Sequence, residues 1–177
     1  MDLQIVYGMI YGKGEKTLSE DLEVTEEEAK LFIQSFINRY EGVKAFISRT
    51  VEECRVKGFV ETITGRRRYL PHIQSSSSVN RSKAERQAVN STIQGSAADL
   101  VKTAMSLVQN RLFDNKDIDS RFVLQMYDEL MYEVRDDSTQ HFTQLLVQCM
   151  ENCLKNFRVE LPVRVKVGPN WGQLQVI

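Results

Sequence analysis

Two alternating apolar runs, RFVLQM and LMYEV, close on the tripeptide Tyr127-Asp128-Glu129, and nothing else in the chain constrains its fold as much. Period-two alternation makes each run a strand, and so short a connection makes the pair an antiparallel hairpin. A tight turn there sets two carboxylates side by side between apolar strands, where they can meet a divalent cation and a phosphate. An Asp-Glu turn that is merely solvated is the plain alternative. The rest of the chain must therefore decide between them.

Upstream, QIVYGMIYGKGEKTL mixes aromatics with three glycines and reads as the end of one helix, a turn and a short helix. Thr25-Glu26-Glu27-Glu28 is a capping box ahead of an amphipathic run in which Ala29, Phe32, Ile33, Phe36 and Tyr40 share a face. Gly42 permits a break, and a second helix follows with Val43, Phe46, Ile47, Val51 and Cys54 inward, stopping at Gly58. Both stripes are expected to be core. FVETITGRRRYLP reads as a strand, a Thr-Gly turn and a strand ended by Pro71. Beyond a serine run at 75–78, a long helical pattern extends from about Val79 to Phe113. Gly95 is its bend or point of close approach, and Leu100, Val101, Met105, Val108 and Leu112 line the buried side of its second half.

A polar loop at 114–120 leads into the hairpin. A further amphipathic helix carries Phe142, Leu145, Leu146, Cys149, Met150, Cys153 and Leu154. VELPVRVKV then alternates as a half-buried strand. Helices, hairpin, helix, hairpin, helix and strand make an α+β fold in which helices back a small antiparallel sheet.

With 42% hydrophobic and 27% charged residues the chain has the composition of an ordinary soluble globular protein, and its 177 residues can form one good core or one large lobe of a bigger domain. A formal net charge of −1 excludes a global basic field, so a nucleic-acid surface has to be local. Arg66, Arg67, Arg68, Arg81, Lys83 and Arg86 can supply one. Cys54, Cys149 and Cys153 form no CxxC pair, and core packing in a reducing, intracellular compartment fits them best. No signal peptide follows Met1, and no apolar run nears the ~20 residues that span a bilayer.

Arg86, Asn90 and Gln94 advance by four, so each drifts only ~40° around a helix from the last. They form one polar stripe, with Ala84, Ala88 and Ile93 free to pack beneath. Asn and Gln carry donors and acceptors that suit the minor-groove acceptors shared by all base pairs. Arg adds charge for a sugar-phosphate edge. A solvated helix face is the alternative. The strand arginines Arg66, Arg67 and Arg68 are suited to bidentate phosphate contact, or else form a surface hairpin paired with Glu61 or Glu85. Asp128 can present one ligand for metal-assisted nucleotidyl transfer, a reaction that needs a further acid from a second strand. The other acidic clusters, Asp136-Asp137 and Glu26-Glu27-Glu28, read as dipole and cap residues.

YGMIYG, GRRRYLP, ERQAVNSTIQGSAADLVK, QMYDELMYEV and VKVGPNWG, in that order, resemble family A DNA polymerases, nearest the eukaryotic theta-like and nu-like branch. The resemblance runs from about Val6 to Leu174. It implies a partial right-hand fold: residues 1–58 form the end of the fingers helix and the helical segment after it, and residues 59–177 the C-terminal palm. It implies that Tyr7, Tyr11 and Gly12 border the incoming nucleotide and templating base. Arg86, Asn90 and Gln94 would contact the primer-template, and Arg66, Arg67 and Arg68 would lie near the DNA backbone. Asp128 would be a palm metal ligand in a two-Mg²⁺ site, with Glu129 its acidic neighbour. The partners would be a DNA primer-template and deoxynucleoside triphosphates, and the compartment the nucleus. No membrane partner is expected.

The departures from the family pattern carry expectations too. The family's triphosphate-gripping Lys falls on Leu3, its Arg falls before Met1, and the first palm Asp lies on a strand upstream of the fingers. The isolated chain is therefore expected to extend primers negligibly, and a non-catalytic DNA-binding or partner-docking isoform is the alternative reading. Where the family usually has a His that contacts the primer terminus, this chain has Tyr127.

Overall fold

A computed structural model describes residues 6, 8, 10–12, 14–155 and 157–177. The chain packs as two compact units, Met1–Ser96 and Ala97–Ile177. That division falls inside a long helix.

In the first unit, helical residues Val6, Gly8 and Ile10 end in a turn at Tyr11-Gly12. Helices α1 (Glu15–Leu22), α2 (Glu26–Arg39) and α3 (Glu41–Lys57) follow. The capping box sets the start of α2. Thr25 Oγ1 accepts from the Glu28 N–H, and the Glu28 carboxylate accepts from the Thr25 N–H at 3.0 Å. The break between α2 and α3 is at Tyr40, whose φ −120° and ψ 63° leave the helical region, and not at Gly42, which lies in the first turn of α3. Gly58, in the left-handed region at φ 77°, ends α3 with its N–H on the Cys54 carbonyl.

Strands β1 (Phe59–Glu61) and β2 (Arg67–Tyr69) then pair antiparallel, and α4 (Ser78–Asp114) begins after the serine loop. Cys54, Val60, Leu70, Ile73, Ala84 and Ala88 form the core here. Small side chains at 84 and 88 let the hairpin lie close to α4 while the helix keeps its polar row outward.

The α2 stripe is core only in part. Ala29 and Phe36 are buried, but Phe32 is 50% exposed and Tyr40 40% exposed. Phe32 sits about 60° round the helix from Ala29, at the stripe's edge. Tyr40 has left the helix and lays its ring beside Phe36 at 4.9 Å. On α3, Val43, Phe46, Ile47 and Val51 are half-buried, and only Cys54 is fully enclosed.

The second unit builds on the far part of α4. Strands β3 (Ser120–Met126) and β4 (Glu129–Val134) form the expected hairpin, with a register shift between Phe122 and Leu124. A 3₁₀ turn at Asp136–Ser138 leads into α5 (Thr139–Glu151). Val108, Ile118, Phe142, Leu145, Leu146 and Cys149 form the core, with Tyr132 and Val134 of β4 packed against it. Tyr132 lies between Phe122 and Phe142, meeting the first edge-on and the second at a tilt, with its ring centroid 5.3 and 4.9 Å from theirs.

The fold is α+β, but its strands form three separate two-stranded ladders, where a single small sheet was expected. In VELPVRVKV, Leu161, Val163, Val165 and Val167 are half-buried and their neighbours exposed, as the alternation predicts. Only β5 (Lys166–Val167) finds a partner, in β6 (Gln175–Val176). Side-chain periodicity reports the extended backbone; it does not report whether a neighbouring strand is there to pair. The three cysteines are free and buried, and burial pushes the Cys54 and Cys149 thiols up. Among the described residues no helix is long and apolar enough to cross a membrane.

Burial, helped slightly by Cys149, pushes the Tyr132 phenol up to about 12. The unfolded phenol titrates near ~10. Its contribution to stability is thus complete below pH ~10 and is lost as pH rises toward the folded value. Denaturant unfolding between those limits should show a steeper alkaline loss in the wild type than in Tyr132→Phe. Equal slopes would contradict the buried phenol.

Candidate nucleic-acid interface and metal-binding turn

In the first unit, Arg86 and Gln94 of α4 are exposed and Asn90 between them is half-buried. None of the three makes a hydrogen bond or ion pair among the described residues, and Asn90 Oδ1 is enclosed without a partner. The Gln94 amide and the Arg86 guanidinium, without partners among the described residues, are available to a ligand, whereas the enclosed Asn90 Oδ1 is not. The row packs over Ala84 and Ala88, which are buried as the spacing implied.

The stem of Arg86 lies against Gly12. A Cβ added at Gly12, where φ is +72°, would stand 3.0 Å from Arg86 Cγ and 3.3 Å from Cδ. The bare glycine thus makes room for an arginine of the same row, a contact no local pattern announces. Tyr11, beside it, is half-buried, and Tyr7 lies outside the described residues.

The β1–β2 turn closes on α4 one residue beyond Gln94. Arg66 Nη2 donates to the Gly95 carbonyl at 3.1 Å, and the Ile63 N–H donates to Ser96 Oγ at 2.8 Å. A Cβ at Gly95 would fall 2.7 Å from the Thr62 methyl and 3.4 Å from Arg66 Nη2. Gly95 is therefore a point of close approach. Thr62, Ile63 and Ser96 were missed from the sequence because they meet only through this packing; Gly95 was the one available signal.

The three strand arginines do not share an environment. Arg67 Nε donates to Glu61 Oε1 at 2.9 Å, and its guanidinium lies 4.6 Å over the Phe59 ring. Glu85 pairs with Arg55 on α3 instead of with a strand arginine. Arg68 is exposed. Of the other basic residues, Arg81 donates to the Ser75 carbonyl at 3.0 Å and ties down the serine loop.

In the second unit, Met126 pairs with Glu129, so Tyr127 and Asp128 are the whole connection of the β3–β4 hairpin. Tyr127 adopts φ +55°, and its side chain is 90% exposed. A positive φ at the first central residue is what a two-residue type II′ hairpin turn requires, and glycine usually provides it. A tyrosine there is strained by about 1–2 kcal/mol. Gln125 Nε2 donates to the Tyr127 carbonyl at 3.0 Å and holds the turn. Asp128 and Glu129 are both exposed.

The donor chemistry of this turn suits Mg²⁺, a hard cation that keeps several waters and takes one or two carboxylates. It does not suit a closed protein cage. Among the described residues no group of three or more His, Cys, Asp or Glu comes together. Of the remaining acidic clusters, Glu26–Glu28 caps α2 through Glu28, while Asp137 accepts from the Arg135 and Ser138 side chains and caps no helix. Hydrogen bonds from Thr25 hold Glu28 below the usual carboxylate range, and Arg135 with Ser138 does the same for Asp137.

A model of DNA polymerase family A matches residues 3–173. DNA polymerase theta of Drosophila melanogaster is 39% identical over 98% of this chain and 9% of its own length. The Mus musculus polymerase theta is also 39% identical, over 97% of this chain and 8% of its own. DNA polymerase I of Pseudomonas aeruginosa is 39% identical over 96% of this chain and 18% of its own. The chain thus spans under a fifth of these curated relatives. Among solved structures, the polymerase domain of Pol1 from M. smegmatis, in complex with DNA primer-template and dNTP, superposes with a TM-score of 0.82 at 38% identity. That match covers 86% of this chain and 27% of the other.

Glycine to alanine inside a helix normally stabilises by about 1 kcal/mol. Gly95→Ala should instead destabilise by about 1–3 kcal/mol through overpacking against Thr62. Adding Thr62→Ser, which deletes the methyl and keeps the hydroxyl, should recover most of that loss. Thermal melts of the two variants check this, and a stabilised Gly95→Ala would contradict the close approach.

Proposed function

Because the chain belongs to DNA polymerase family A, we propose that it forms the portion of a DNA-directed DNA polymerase that grips the primer-template and supplies one carboxylate to the metal site. The row Arg86, Asn90 and Gln94, whose side chains have no partners among the described residues, carries this reading. It is supported by the Pol1 neighbour, which is described with DNA primer-template and dNTP bound.

Gln94 and Asn90 meet the minor-groove acceptors that every correct base pair presents in the same place, so they sense pairing and ignore sequence. Arg86, seated on Gly12, faces the sugar-phosphate edge. Tyr7, Tyr11 and Gly12 border the incoming nucleotide and the templating base, where an aromatic face is worth about 1–3 kcal/mol per stacked base. Tyr127, held outward by its turn, meets the primer terminus, where its phenol O–H can donate a hydrogen bond.

Family A polymerases generally depend on divalent metal ions. In this chain Asp128 would hold Mg²⁺, with Glu129 beside it to orient metal-bound water. The ions would stabilise the attacking primer oxygen and the leaving oxygen of the α-phosphate. The fly and mouse theta relatives support a place in nuclear DNA repair or replication.

Primer-template binding by the full chain, followed by fluorescence anisotropy, tests this. Gln94→Ala should weaken binding about tenfold, in the range of about 1–3 kcal/mol for a specific base contact. Mg²⁺ should tighten binding by the wild type and not by Asp128→Asn. Wild-type affinity that ignores Gln94→Ala, or a Mg²⁺ response that survives Asp128→Asn, would overturn the proposal.

A further inference from the structure

Three consecutive arginines stand on one short hairpin, and their surroundings separate them. Arg66 is committed to the helix: its guanidinium holds the Gly95 carbonyl at 3.1 Å, next to Gln94. The Ile63 N–H on Ser96 Oγ and the Thr62 methyl against Gly95 complete a three-point clamp on that turn of α4. Arg67 is committed within its own strand pair. Its charge is neutralised by Glu61, and its planar face is covered by Phe59.

Arg68 differs from both. The register pairs it with Val60, while Arg67 pairs with Glu61 and Tyr69 with Phe59. In an antiparallel pair, directly opposed residues share a face and successive residues alternate. Arg68 is therefore on the other face from the Arg67–Glu61–Phe59 group. Its side chain is exposed and makes no ion pair, hydrogen bond or ring contact among the described residues. A phosphodiester needs a guanidinium whose forked donors are unspent.

We propose that, of Arg66, Arg67 and Arg68, only Arg68 contacts the nucleic-acid backbone, and that Arg66 is a positioning residue that fixes Gln94 through Gly95. This rests on the primer-template reading above. The salt dependence of binding separates the roles, because each phosphate neutralised adds about 0.9 to the slope of log affinity against log salt. A guanidinium whose donors are held on a protein partner, away from any phosphate, adds nothing to it.

The experiment measures affinity of the full chain for a labelled primer-template between about 50 and 200 mM salt. Arg68→Ala should weaken binding and lower the slope by about 0.9, and Arg66→Ala and Arg67→Ala should leave the slope unchanged. Arg66→Ala should also lose discrimination between matched and mismatched primer ends as far as Gln94→Ala does, and the double variant no further. Arg66→Lys, which keeps a charged donor, covers the case in which Arg66→Ala unfolds, and should retain part of the discrimination.

A slope unaltered by Arg68→Ala, or lowered equally by Arg66→Ala or Arg67→Ala, overturns the division of roles. Additive losses in the Arg66/Gln94 double variant overturn the positioning role. If Gln94→Ala alone changes neither affinity nor discrimination, the base-reading proposal fails, and the Arg66 half of this one with it. The Arg68 slope is decided independently of that result.

Discussion

The absent side chain at Gly95 is the constraint on which the packing of the β1–β2 hairpin against α4 depends. With hydrogen in place of a methyl, the turn after β1 reaches the helix backbone, and Arg66 and Ile63 bond to consecutive residues of α4. A helix so held cannot slide or roll against its hairpin, because hydrogen bonds fix its position and the Thr62 methyl fixes its distance. Gln94 precedes the clamped residue, so its direction is set by backbone contacts. Its own side chain stays unspent. A reading group needs both properties: a rigid base and a free tip.

The second unit solves a related problem by a different route. Its hairpin is anchored by Tyr132, wedged between Phe122 and Phe142 over a core of α4 and α5 side chains. That anchorage offsets the cost of a left-handed tyrosine at the tip. Strain of this kind persists only where the surroundings determine the backbone, and it collects where a side chain must be presented. The outcome is an exposed ring, an exposed carboxylate and a second carboxylate in a row, all on a turn that paired strands hold still.

Much of this was legible in the sequence because it is local. The Thr25–Glu28 box, the Gly58 stop, the span of α4 and the Asp128 hairpin all follow from chemistry within a few residues. The Arg86–Asn90–Gln94 row follows from helical period alone. What escaped depends on partners distant in sequence. Phe32 sits at the edge of its stripe with half its surface exposed, and no period reveals that. The strand character of VELPVRVKV was readable, but the shortness of its ladder was not. Residues 66, 67 and 68 look equivalent as letters; the register and a contact 29 residues away make them different.

Under the proposed function, the Asp128 carboxylate holds a metal ion at the primer end of bound DNA. Substituting Fe²⁺ for Mg²⁺ and adding peroxide and ascorbate makes a bound ion cut the DNA beside it. With a labelled primer-template, cleavage should concentrate at the primer 3′ end, vanish in Asp128→Asn, and spread along the duplex in Gln94→Ala. Cleavage that is uniform in the wild type, or that keeps its position without the Asp128 carboxylate, would contradict it.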